Sequence, residues 1–208
     1  MTTLPLAIRV IRRTTITVAA VAMVLSGIPV ALGQPEVDAE IVGVDDIRPT
    51  KSLVSVYSPA MDRIIPVEVL HPPGTTARPS YYLLDGVDSR PPTTNWSQFT
   101  DIDAFFADKQ VNVILPVGGE GSYYSDWQRP DHHLGSLMRW ETFLTRELPP
   151  LIDRQFHGNG RNAVGGVSMG AAAAAILATR HPALYRGVAS FSGCVDATAP
   201  ALETALGG

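Results

Sequence analysis

A single cysteine in 208 residues, Cys194, leaves no possibility of a disulfide within the chain, so its stability has to come from burial. Charge is equally sparse. Sixteen basic and 20 acidic residues give a net charge of −4 and are interspersed, which offers no basic stripe for nucleic acid or an anionic membrane. Of five histidines only His132 and His133 adjoin, and without further ligands they do not make a zinc site. No metal and no cofactor is expected. The chain has no internal repeat and no long low-complexity tract, which excludes solenoid architectures. With 45% hydrophobic residues, what remains is one ordinary globular domain.

The one long uncharged stretch lies near the start. Arg9, Arg12 and Arg13 precede Thr14 to Gly33, which contains "ITVAAVAMVL" and ends in the small residues Ala31 and Gly33. That is the layout of a secretory signal peptide, expected to cover residues 1–33 and be cleaved before Gln34, with an uncleaved anchor as the alternative. Gly27 and Pro29 interrupt the apolar core, which a spanning helix would not favour. Export would leave thirteen bases against twenty acids. The product is expected to be secreted or held at the cell envelope, and to act as a monomer.

Residues 34–50 read as a polar, irregular lead-in, and residues 51–208 as the folded domain. "SLVSVYS" (52 to 58) and "RIIPVEVL" (63 to 70) predict an antiparallel strand pair. "YYLLDG" (81 to 86) and "VNVILPVGG" (111 to 119) predict buried central strands, with a short helix over 101–109 placing Ile102, Phe105 and Phe106 inward. From Gly135 to Phe156 apolar residues recur at a helical period, and Pro149 and Pro150 should break or kink that helix. A strand "RNAVGGV", a helix from Met169 to about Arg180, a strand "RGVASFS" (186 to 192) and a final helix from Thr198 complete the pattern. Strands alternating with helices predict an α/β fold with a mostly parallel central sheet and helices on both faces.

The chemistry concentrates in "GGVSMG". A strand running into a sharp turn and then a helix, with Gly166 and Gly170 flanking Ser168, is the layout of a nucleophile elbow, in which the serine hydroxyl is exposed above the strand ends. Close packing of a strand against an alanine-rich helix would account for Ala171 to Ala175, though not for a serine centred between two correctly spaced glycines. An oxyanion hole needs two N–H donors: Met169, directly after the serine, and one from an earlier loop, for which Val87 in "LLDGVDS" is the natural source. Asp85 in that turn either holds a polar substrate or caps its own loop; spacing alone does not choose. Tyr123, Tyr124 and Trp127 in "SYYSDWQ" form either a platform for sugar or acyl chain or ordinary loop packing. Cys194 reads as a small packed residue.

The blocks "YYLLDGVDS", "PVGGEGSYYSDW", "RWETFLTRELP", "GGVSMG" and "RHPALYRGVASFSGCVD" follow one another as in the antigen 85 mycolyltransferases, which the chain resembles over roughly residues 50 to 208. The resemblance implies an α/β-hydrolase fold and a secreted acyltransferase that moves mycoloyl or similar acyl groups to trehalose or cell-wall sugar through a serine acyl-enzyme. Its general alternative is a carboxylesterase of the same fold. By resemblance Ser168 is the nucleophile, Val87 and Met169 form the oxyanion hole, and Asp85 and Asp196 contact substrate. The family commonly has arginine where this chain has Asp88, so a carboxylate occupies a sugar-contacting position; Arg90 lies two positions on. Gly170 stands where that family has alanine, an exchange expected to be harmless. Some members bind host fibronectin, and the segment Asp103 to Val113 lies where that activity would map, so an inactive binding protein is the rival reading.

A serine needs a histidine base oriented by a carboxylate, in this fold in the order nucleophile, acid, histidine. Only His181 follows Ser168, at the end of the elbow's own helix, where the helix dipole favours it. His71 and His157 fall in Pro/Gly-rich loops and are expected to be solvated; Asp196 and Glu203 have no histidine beyond them. The expectation is that the chain stops before the last strands and helices, which would carry the acid and the histidine, and that hydrolysis of a simple ester is correspondingly weak.

Overall fold

The computed structural model describes residues 38–130 and 137–193. Seven strands form one mixed sheet in the order β1-β2-β3-β5-β4-β6-β7. They are β1 (Glu40–Arg48), β2 (Lys51–Ser58), β3 (Arg63–Leu70), β4 (Arg78–Leu84), β5 (Asn112–Pro116), β6 (Gly158–Val167) and β7 (Tyr185–Phe191). β1, β2, β3 and β5 pair antiparallel, while β4 pairs parallel with β5 and β6, and β6 parallel with β7. The helices are α1 (Asn95–Phe99), α2 (Ile102–Phe106), α3 (Trp140–Thr142), which continues through a π-helical turn (Phe143–Glu147) into α4 (Leu148–Gln155), and α5 (Met169–Arg180).

Alternation along each strand splits the core in two. Val54, Val56, Ile65, Val67, Val69, Tyr82, Leu84, Ile114 and Val164 pack on one face with Trp140, Phe143, Leu144, Ile152 and the α5 residues Ala173, Ala174 and Leu177. On the other face Leu70, Leu83, Val113 and Leu115 pack with Ile102, Trp96 and Phe106 from α1 and α2. Helices therefore cover both faces, as the α/β-hydrolase reading requires. α5 approaches closely because its inner surface is alanine: Ala171, Ala173 and Ala174 are at most 2% exposed.

Three expectations are corrected. The lead-in 34–50 is not irregular throughout, because Glu40–Arg48 pairs with β2 as a sheet edge; its alternation is hidden by Asp45 and Asp46, which an exposed edge tolerates. Phe105 does not face inward: it is 58% exposed, since a helix of five residues turns only Ile102 and Phe106 to the sheet. Of the break or kink expected at Pro149 and Pro150, the break does not occur. The Leu148 N–H reaches back five residues to the Phe143 carbonyl, closing the π turn, and both prolines fall in the first turn of α4, where an absent N–H costs no intrahelical bond.

Candidate active site

The chain runs from β4 to β5 on one side and then crosses back over β4 to β6 on the other, so the strand order reverses between β4 and β6. Such switch points open a crevice at the carboxyl ends of the strands, and here those ends carry Asp85-Gly86-Val87 and Ser168.

Ser168 has φ 54° and ψ −116° and caps α5. A non-glycine residue in this conformation costs about 1–3 kcal/mol and persists only where its surroundings over-determine it. They do so here: the Ser168 N–H donates to the Phe191 carbonyl at 3.0 Å, and the Ser168 carbonyl accepts from the Ala171 and Ala172 N–H groups at 3.1 and 3.3 Å. The side chain is exposed at the start of a 12-residue helix, where the N–H of Met169 has no carbonyl one turn back to receive it and the dipole favours negative charge.

Both flanking glycines are sterically required. A Cβ on Gly166 would lie 2.4 Å from the Gly170 carbonyl, and one on Gly170 would lie 2.4 Å from the Asp85 carbonyl oxygen and 2.6 Å from that of Leu84. Glycine in place of the family's alanine leaves that space open, whereas an alanine put at Gly170 of this chain would meet backbone. The same closeness brings the β4 turn to the serine: a Cβ on Gly86 would be 3.9 Å from Ser168 Cβ. Val87, whose side chain is exposed, is tied down by its carbonyl, which accepts from the Gly121 N–H at 3.0 Å.

Asp85 is fully buried. Its Oδ2 accepts from Ser89 Oγ at 2.8 Å and from the Asn95 N–H at 3.0 Å, its own N–H donates to Tyr124 Oη at 3.0 Å, and its Oδ1 has no hydrogen-bond partner. Burial pushes the Asp85 carboxyl up, and the bonds from Asn95 and Ser89 only partly offset this. Asp88 is exposed, with Oδ1 accepting from Asn95 Nδ2 at 3.0 Å. Arg90 is ion-paired with Glu120.

The three aromatics of "SYYSDWQ" separate. Tyr124 is buried against Trp140 and supports the Asp85 backbone; Trp127 donates Nε1 to the Ser122 carbonyl at 2.9 Å and packs on the core. Tyr123 is 42% exposed, with φ 53°, and its N–H meets Met169 Sδ at 3.4 Å, beside the serine. Asp126 holds this loop by accepting from the Thr142 N–H and hydroxyl at 3.0 and 2.6 Å.

None of the histidines among the described residues lies near Ser168. His181 ends α5, about 18 Å from its start at 1.5 Å per residue, and its Nε2 meets Glu141 Oε1 at 2.7 Å. His157 precedes β6, at the opposite end of that strand. His71 is not solvated as expected: it is half-buried, 3.0 Å from Ser52 Oγ and tilted against Phe156, and burial lowers its pKa. Residues 1–33, His132, His133, Cys194, Asp196, Glu203 and the helix expected from Thr198 lie outside the described residues. Among the described residues no group of three His, Cys, Asp or Glu side chains converges as a metal site would need.

Sequence reasoning missed a buried ion pair behind the site. Glu68 and Lys51 lie 2.8 Å apart, with side chains 5% and 9% exposed. The signal was a charge inside the apolar run "RIIPVEVL", at the parity of the inward-facing Leu70.

The sequence profile of the putative esterase family matches residues 58–205. The chain is 36% identical over 147 residues to the diacylglycerol acyltransferase/mycolyltransferase Ag85A of Mycobacterium leprae, covering 69% of this chain and 44% of that protein. It is 37% identical over 145 residues to the Ag85B enzyme of Mycolicibacterium smegmatis, covering 68% and 44%. The chain thus spans less than half the length of these curated relatives. Among solved structures, Mycobacterium tuberculosis MPT51 (FbpC1) aligns with a TM-score of 0.63 at 27% identity, covering 81% of this chain and 56% of that one. An S-formylglutathione hydrolase from Agrobacterium tumefaciens, at 20% identity and the same TM-score, shares the fold over 79% and 67%.

Proposed function

The chain belongs to the putative esterase family, and from that premise we propose that it is a serine acyltransferase or esterase in which Ser168 Oγ attacks an acyl ester. The hydroxyl adds to the ester carbonyl, the alcohol leaves, and the acyl-serine passes its acyl group to a sugar hydroxyl or to water. The observation that carries this reading is the strained, exposed Ser168 at the head of α5, with the Asp85-Gly86-Val87 turn beside it. In this reading the N–H groups of Met169 and Val87 receive the oxyanion, where a preorganised donor is worth roughly 100-fold or more in turnover.

The long-chain acyl substrate and the trehalose or cell-wall acceptor rest on the likeness to the mycolyltransferases. We assign Asp85 to holding the turn, because it is fully buried and two of its three hydrogen bonds bind its own loop. Asp88 is the substrate-facing carboxylate, and Asp196 remains in that role by resemblance. Export follows from the arrangement of residues 1–33. The rival reading, an inactive binding protein such as a fibronectin binder, draws on exposed Phe105, over whose ring Lys109 Nζ sits at 4.2 Å in the 103–113 segment.

A fluorophosphonate probe separates the two. The acyl-serine reading expects covalent labelling of the 208-residue chain at Ser168, slow because no described histidine adjoins it, and its loss in Ser168→Ala; a wild-type protein labelled no faster than Ser168→Ala would overturn it.

A further inference from the structure

Val87 sits in an irregular segment, and a loop that supplies an oxyanion donor must be held as rigidly as the helix that supplies the other. The segment from Asp85 to Ser97 is anchored at its start by the Asp85 bonds to Ser89 and Asn95. Its far end is gathered by a different carboxylate, on a strand that carries none of the expected site residues. Glu68 Oε1 accepts from the Thr94 N–H at 3.1 Å and from Thr93 Oγ1, and Glu68 Oε2 accepts from Ser97 Oγ at 2.6 Å. Lys51 Nζ completes the cluster, 2.8 Å from Glu68, 3.0 Å from Ser97 Oγ and 3.4 Å from Asp103. Thr94 in turn caps α1 through the Ser97 N–H, and Trp96 Nε1 reaches the Leu84 carbonyl at 3.1 Å, next to Asp85.

The geometry assigns Glu68, with Lys51 as its counter-ion, the role of a positioning residue for the oxyanion turn. Its ionised carboxylate draws three donors from Thr93, Thr94 and Ser97 onto β3 and so fixes where the chain returns after Val87. This rests on the acyl-serine reading for its catalytic meaning, but not for its structural content. The three donors satisfy a buried carboxylate and, in doing so, tie Thr93, Thr94 and the first turn of α1 to one point on β3. A neutral amide at the same place loses the charge assistance and puts an N–H₂ group where at least one donor now points. Burial pushes the Glu68 carboxyl up, but the hydrogen bonds from Lys51, Ser97 and Thr93 outweigh this and keep it below the usual carboxylate range, as the role requires.

The test compares Glu68→Gln with wild type by amide hydrogen exchange and by the rate of fluorophosphonate labelling at Ser168. Amides within 87–97 should exchange about tenfold faster or more while those of β4 and β6 keep their protection, and labelling should slow by a similar factor. The double variant Lys51→Met/Glu68→Gln leaves no unpaired cation, so a turn that stays loose in it reports lost positioning and not a stranded charge. Unchanged exchange in 87–97, or a uniform loss across the sheet, overturns the proposal. If wild type itself does not label, the acyl-serine reading falls, and the exchange data alone decide whether Glu68 holds the turn.

Discussion

The sharpest consequence of the elbow geometry concerns Gly170→Ala. An added methyl would stand 2.4 Å from the Asp85 carbonyl oxygen and 2.6 Å from the Leu84 carbonyl oxygen, where ordinary contact begins at 3.4 Å. Neither atom can rotate away, because both are buried backbone atoms, at the last residue of β4 and the first of the turn after it. Relief requires the start of α5 to retreat by about 1 Å, with an overpacking cost of about 3 kcal/mol. For a domain of this size that lowers Tm by roughly 6–12 °C. The retreat carries Met169 and Ser168 away from the Val87 turn, and a misplacement of about 1 Å at reacting groups costs roughly 100-fold in rate. Thermal melts and fluorophosphonate labelling kinetics read the two effects separately. A variant melting within about 2 °C of wild type and labelling at the same rate would refute the claim that backbone contact makes this glycine obligatory.

Three further outcomes follow. Because burial raises the Asp85 carboxyl, the folded state binds that proton more tightly than the unfolded chain, so its contribution is full below about 3.9 and is lost as pH rises through the folded value. Asp85→Asn should therefore gain Tm relative to wild type at pH 7.5 compared with pH 3.5, and a relative loss would contradict the assignment. Glu68 runs the other way: its lowered value gives stability that is present above about 4.3 and lost as pH falls through the folded value, so Glu68→Gln should flatten the acid limb of wild-type melts. His181→Ala should leave Ser168 labelling within about twofold of wild type, since about 18 Å of helix separates them; a tenfold drop would show that the histidine reaches the serine.

Much of the fold was legible because its signals are local. Strand alternation in "RIIPVEVL" reproduces β3 residue for residue, and the helix after the elbow begins at Met169 and ends at Arg180 as its alanine run and flanking residues indicate. The errors have a common origin in context. The π turn ahead of Pro149 and Pro150 lies where Trp140, Phe143 and Leu144 pack into the core beneath the sheet, a burial set by distant strands. His71 reads as a loop histidine until Ser52 and Phe156, from distant parts of the chain, close around it.

The same division holds at the site. The sequence by itself determined that a serine stands between two glycines at a strand-to-helix junction, because backbone sterics restrict which residues can occupy so tight a turn. It also placed "LLDGV" at the end of a central strand, since a short apolar run closed by Asp-Gly can be little else in an alternating chain. Only the tertiary structure decided which side chains serve that junction. It turned Asp85 inward to hold its loop, left Tyr123 exposed while burying Tyr124, and brought Glu68 and Lys51 from neighbouring strands beneath α1. Those outcomes depend on which strands become neighbours and on how few donors reach each buried carboxylate, quantities set by packing between segments far apart in the chain.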